Sequence, residues 1–138
     1  MSLVAAVNTM PHITVEYTAN LKAEADIPGL LARINDVLIA QNDVFPVGGI
    51  RSRAIELSDF RIADGAADDA FVHVTVKIGA GRDEAVKKRA FDALFDAIKR
   101  HFASVYAKRY LALSMEIAEF SEAGTYKHNN IHQRFGKR

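Results

Sequence analysis

The chain is expected to fold as an α+β domain made of a duplicated β-α-β unit, with a four-stranded sheet and both helices on one face. Three observations predict this. An alternating stretch, His12-Ile13-Thr14-Val15-Glu16-Tyr17, returns as His73-Val74-Thr75-Val76-Lys77-Ile78, with His, Thr and a charged residue in matching slots. Each copy is followed by the same helical spacing of apolar residues, and each helix by a second extended stretch.

In the first strand the period of two puts Ile13, Val15 and Tyr17 on one face, which is then the face toward a core. The first helix carries Ile27, Leu30, Leu31, Ile34 and Leu38 at i, i+3, i+4, i+7 and i+11, and Phe91, Leu94, Phe95, Ile98 and Phe102 repeat the pattern in the second. Asp26 is an N-cap candidate with Pro28 in the first turn. In the second copy Gly79-Ala80-Gly81 turns the chain, and Asp83 and Glu84 suit the positive end of the helix dipole. The closing strands are expected at about Ile50 to Ile62 and Tyr110 to Phe120, where Leu111, Leu113, Met115 and Ile117 alternate. Aspartates and a glycine between Ala63 and Ala70 mark the join between repeats of about 11–62 and 71–120. A strand, a covering helix and a second strand favour a right-handed crossover, so each repeat should pair its strands in parallel. The sheet face away from the helices carries Thr14, Thr75, Ala112 and Ser114, neither fully polar nor apolar, which points to an oligomer that covers it.

The 138 residues suit a single domain, and 49% hydrophobic with 25% charged residues excludes a disordered or fibrous chain. A net charge of +1 gives no bulk attraction to nucleic acid or to a membrane surface, so any anion must be recognised locally. The absence of cysteine removes disulfides, thiolate nucleophiles and Cys-ligated zinc. No apolar run approaches the roughly 18 residues of a membrane span, and MSLVAAVNTM lacks the basic start and cleavage site of a secretory signal. A cytoplasmic protein is expected. Phosphate loops, nucleophile elbows and dinucleotide fingerprints are missing from the sequence.

Four features could carry chemistry. Pro11 opens the first strand, where a missing N–H costs no ladder bond, but the preceding Met10 also reads as a translation start whose removal would leave a free secondary amine. Arg51 and Arg53 of GGIRSR share one strand face; by default they are surface cations, yet two planar forks also make a carboxylate clamp. Arg82 of GAGR sits at a helix N-terminus, where a cation is unfavourable unless Asp83 or a bound anion compensates it. In the tail KHNNIHQRFGKR, His128 and His132 are four apart, the spacing of two metal ligands on a helix, but no third ligand accompanies them. A tail folded over a neighbouring subunit is the expectation, and His12, His73 and His101 read as ordinary strand and helix-end residues.

The blocks MPHITVEYTANL, ADIPGL, FPVGGIRSRA, AFVHVTVKIGAGR and LALSMEI together resemble the 5-carboxymethyl-2-hydroxymuconate delta-isomerase family of the tautomerase superfamily, from Met10 to about Phe135. The resemblance implies a tautomerase-like fold, a homotrimer, an amino-terminal proline as catalytic base and no metal or organic cofactor. Carried over residue by residue, the base falls on Pro11, the strand arginine on Arg51 and the turn arginine on Arg82, with Arg53 beside the site as a further substrate-binding candidate. The implied substrate is a small unsaturated di- or tricarboxylate.

The sequence departs from that pattern in one respect. Residues 1–9 precede Met10, and a chain that keeps them holds the Pro11 nitrogen in an amide without basicity. Residues 1–9 are therefore expected to be an extension or upstream start, ahead of a single domain at 10–138. Two alternatives share the residues: a tautomerase-superfamily enzyme, hydratase or decarboxylase acting on another unsaturated acid, and a non-catalytic oligomeric module whose arginines hold an anion.

Overall fold

Four strands form one sheet in the order β2-β1-β3-β4, where β1 is His12–Thr18, β2 is Arg51–Leu57, β3 is Ala70–Gly79 and β4 is Leu111–Phe120. This computed structural model describes residues 10–41 and 44–136, so the expectation for residues 1–9 lies outside the described residues. β1 runs parallel to β2 and β3 parallel to β4, while β1 and β3 meet antiparallel at the centre. Two β-α-β units thus join through their first strands, the arrangement the duplication predicts.

Helix α1 (Ile27–Ile39) begins at Asp26, whose carboxylate accepts from the Gly29 N–H at 3.2 Å, and α2 (Glu84–His101) begins at Asp83, which accepts from Val86 N–H at 3.3 Å. Each cap is worth about 1 kcal/mol of helix stability. Leu30, Ile34 and Leu38 of α1, with Phe91, Leu94 and Ile98 of α2, are buried in one cluster with Ile13, Val15 and Tyr17 of β1 and Val72, Val74, Val76 and Ile78 of β3. Full burial of each such side chain contributes about 1.5–3 kcal/mol, so the alternation and the helical period together supply the force that stacks helices on sheet. The Ser52 hydroxyl hydrogen-bonds Asn35 Oδ1 at 2.7 Å, which turns Ser52 toward α1 and leaves Arg51 and Arg53 on the opposite sheet face.

The structure departs from or adds to the expected elements at three points. β2 stops at Leu57 rather than Ile62, because its ladder partner β1 ends at Thr18, which pairs with Leu57. A short helix α3 (Ala103–Lys108) follows α2 and buries Val105. His128 lies outside any helix, and the tail's last regular piece is a 3-10 turn at Ile131–Phe135, so the four-residue spacing of His128 and His132 does not stack them on a helical face. Within its own chain the tail is held at the start of β2, where Asn129 Nδ2 donates to the Gly48 carbonyl at 3.0 Å.

Candidate active site

The head of β1, the head of β2 and the end of β3 lie at one end of the sheet, because β2 is parallel and β3 antiparallel to β1. His12 is flanked by Arg51 on one side and Lys77 on the other. This register is what brings the proline and GGIRSR motifs together although some forty residues separate them in the chain. The Arg51 N–H donates to the Pro11 carbonyl at 3.2 Å, extending the ladder one step beyond the strand, and Pro11 is buried.

A cavity of about 470 Å³ opens at this end, lined by Met10, His12, Arg51 and Lys77 from the sheet, Phe120 from the end of β4, and the tail from Thr125 to Asn129. Lys127 and His128 are among the tail residues. The cavity therefore gathers Arg51, Lys77 and Lys127, three formal positive charges, with no carboxylate in its lining. Such a set matches a small polyanion. Tyr126 and Phe120 supply ring surface.

Backbone approach explains the two glycines of GGIRSR. A Cβ on Gly49 would lie 2.6 Å from Met10 Cγ, and one on Gly48 would lie 2.7 Å from His132 Nδ1. Glycine is thus needed where the start of β1 and the tail press on the 3-10 turn Val47–Gly49. Met10 is almost fully buried and its side chain lines the cavity beside Pro11.

The remaining candidates lie around this centre. Arg53 is exposed and reaches His12, with Nη1 3.2 Å from Nδ1. Arg82 follows Gly81, whose φ of +106° suits glycine alone, and enters the turn that starts α2 at the same end of the sheet. It is half-buried, and burial holds its guanidinium below the ordinary arginine range. It is not among the residues that line the cavity. Among the described residues no group of three or more His, Asp or Glu is placed to hold a metal ion.

Sequence reasoning missed His12, Lys77 and the inward tail. Burial, then Arg53, Arg51 and Lys77, hold the His12 imidazole below its ordinary value of 6.5, so it is uncharged at neutral pH. The signal was present in the alternation, since His12 and Lys77 occupy the face opposite the core, but which strands flank each other is decided by pairing.

Comparison with known proteins adds four findings. The family profile of 5-carboxymethyl-2-hydroxymuconate isomerase matches residues 11–135. The chain is 46% identical over 126 residues to 5-carboxymethyl-2-hydroxymuconate Delta-isomerase of Escherichia coli, covering 91% of this chain and 99% of that protein. It superimposes on the crystal structure of a 5-carboxymethyl-2-hydroxymuconate isomerase from Deinococcus radiodurans R1 with a TM-score of 0.90, at 56% identity over 94% of this chain and 97% of the other. A further crystal structure, of a 5-carboxymethyl-2-hydroxymuconate delta-isomerase, gives a TM-score of 0.86 at 28% identity, covering 95% and 96% of the two chains.

Proposed function

The chain belongs to the 5-carboxymethyl-2-hydroxymuconate isomerase family, and from that premise we propose that it converts 5-carboxymethyl-2-hydroxymuconate to its 2-oxo isomer, with Pro11 as the base. The observation that carries this reading is the buried Pro11 standing in the chain between Met10 and His12, which line one cavity with Arg51 and Lys77.

In the proposed reaction the O–H bond at the 2-hydroxyl breaks and its electrons form the C=O. The double bonds shift along the conjugated system, and a C–H bond forms at its far end, C5. One base can take the first proton and return it at the second position if its affinity for protons is near neutral. Burial and neighbouring cations both disfavour an ammonium at Pro11, which moves a secondary amine in that direction. Arg51 and Arg82 are assigned the substrate carboxylates and the dienolate charge, with Arg53 beside them. The substrate's three carboxylates accord with the three cations of the cavity lining. The reading places the protein in the cytoplasm, in aromatic-compound (homoprotocatechuate) breakdown, as a homotrimer covering the sheet face that bears Thr14, Thr75 and the exposed Ile55. Among the described residues no helix is long and apolar enough to cross a membrane.

The mechanism requires a free nitrogen at Pro11, so the active chain is proposed to begin there. Met10 forms part of the cavity wall, and its removal would both free the nitrogen and open the wall beside it. The test is an ultraviolet assay of 5-carboxymethyl-2-hydroxymuconate on the 138-residue chain and on a chain beginning at Pro11. Turnover confined to the shorter chain is expected. Equal turnover in both would remove the free-amine mechanism, and turnover in neither would favour an anion-binding module. R82A should weaken turnover with the oligomer intact by light scattering; undiminished activity would remove its assigned role.

A further inference from the structure

His12 has a geometry that the proline-and-arginine mechanism leaves unused. Its Nδ1 lies 3.2 Å from Arg53 Nη1. A guanidinium can only donate, so Nδ1 must be the accepting nitrogen and the ring proton must sit on Nε2. The ring also lines the cavity one residue from Pro11. With Nδ1 turned to Arg53, the polar atom left for a bound molecule is an N–H donor.

We propose that Arg53 locks His12 in the Nε2–H tautomer and that this N–H donates to the substrate's 2-oxygen as it becomes an enolate. The inference rests on the isomerase reading. The groups around the ring argue for the oxygen rather than a carboxylate. Arg51 on β2 and Lys77 on β3 already offer full charges to carboxylates, and Lys127 and His128 line the tail side. An uncharged donor stabilises a developing oxyanion without supplying a proton that would trap it, which suits a site where Pro11 alone must carry the proton. Arg53 is then a positioning residue, acting through the ring and not on the substrate.

The test combines a spectroscopic readout with kinetics. Long-range 1H–15N spectra of the full chain at pH 7 should show His12 uncharged with the proton on Nε2, and R53A should release this tautomer to a mixture. An imidazolium, or a proton on Nδ1, would overturn the proposal whatever the activity. In the chain that turns over, H12F should lower kcat about ten- to a hundred-fold with KM little changed, the range expected for loss of a hydrogen bond to a charged group. H12Q, whose amide N–H reaches the place of Nε2–H, should recover most of that loss, whereas H12N should not. Undiminished kcat in H12F, or a rise in KM alone, would also overturn it. Absence of turnover in the unsubstituted chain beginning at Pro11 is a failure of the isomerase reading itself, and the tautomer measurement still decides whether the donor exists.

Discussion

The backbone N–H of Arg51 donates to the carbonyl of Pro11 at 3.2 Å, so the proposed clamp and the proposed base are tied by main chain before either side chain acts. Truncating Arg51 leaves that bond in place. R51A should therefore lose about a hundred-fold or more in kcat/KM, as for removal of one preorganised electrostatic donor, with an unchanged circular dichroism spectrum. A collapse of the fold in R51A would show that the side chain is structural.

His12 gives a pH dependence of stability with a definite sign. Burial and the cations Arg53, Arg51 and Lys77 hold its folded-state pKa below the ordinary 6.5. As pH falls below about 6.5 the unfolded chain takes up a proton first, so stability declines through that window and levels off once the folded-state value is passed. Above the window His12 contributes no pH dependence. Urea midpoints between pH 7.5 and 5 should fall less steeply for H12Q than for the parent chain; parallel slopes would mean that His12 titrates alike in both states.

The tail is held by close approach. A Cβ on Gly48 would stand 2.8 Å from His132 Cα, which is backbone and cannot swing aside. G48A should cost about 1–3 kcal/mol of local packing and loosen the segment that carries Tyr126 to Asn129. Limited proteolysis should cut there sooner than in the parent chain, and N129A, which removes the donor to the Gly48 carbonyl, should shift the cleavage rate in the same direction.

The far end of the sheet provides a control. Arg109, just before β4, donates from Nη1 to Glu24 at 2.8 Å and from Nη2 to the Asp68 carbonyl at 2.8 Å, pinning the linker to the loop after β1. Its side chain is largely buried, while Asp68 is open to solvent, so R109A should cost about 1–2 kcal/mol in thermal or denaturant unfolding. Turnover should stay at the parent level once both proteins are folded, since none of these groups lines the cavity. A large loss of kcat would tie this end of the sheet to the chemistry.

Much of the fold was legible because local periodicity and burial agree. Ile13, Val15 and Tyr17 alternate in the sequence and are buried, and Leu30, Ile34 and Leu38 keep helical spacing and are buried too. Asp26 was readable as a cap for the same local reason. Pro11, Arg51, Arg53 and Arg82 were legible as motifs, and the structure sets them at one end of the sheet, but only Arg51 among these arginines lines the cavity. Lys77 and His12 looked like ordinary strand residues because nothing local distinguishes a solvent-facing slot from one beside a cavity.

The sequence by itself determined the elements, their duplication and the caps that start both helices, since these depend on residues within a few positions of one another. Only the tertiary structure decided the strand order, the limit of β2 at Leu57 and the fold-back of the tail onto Gly48. It also decided that Arg51, Lys77, Lys127 and an uncharged His12 share one cavity. Those relations join residues as far apart as His12 and Lys127, and they are set by which faces bury together and how the strands register, quantities that no local pattern carries.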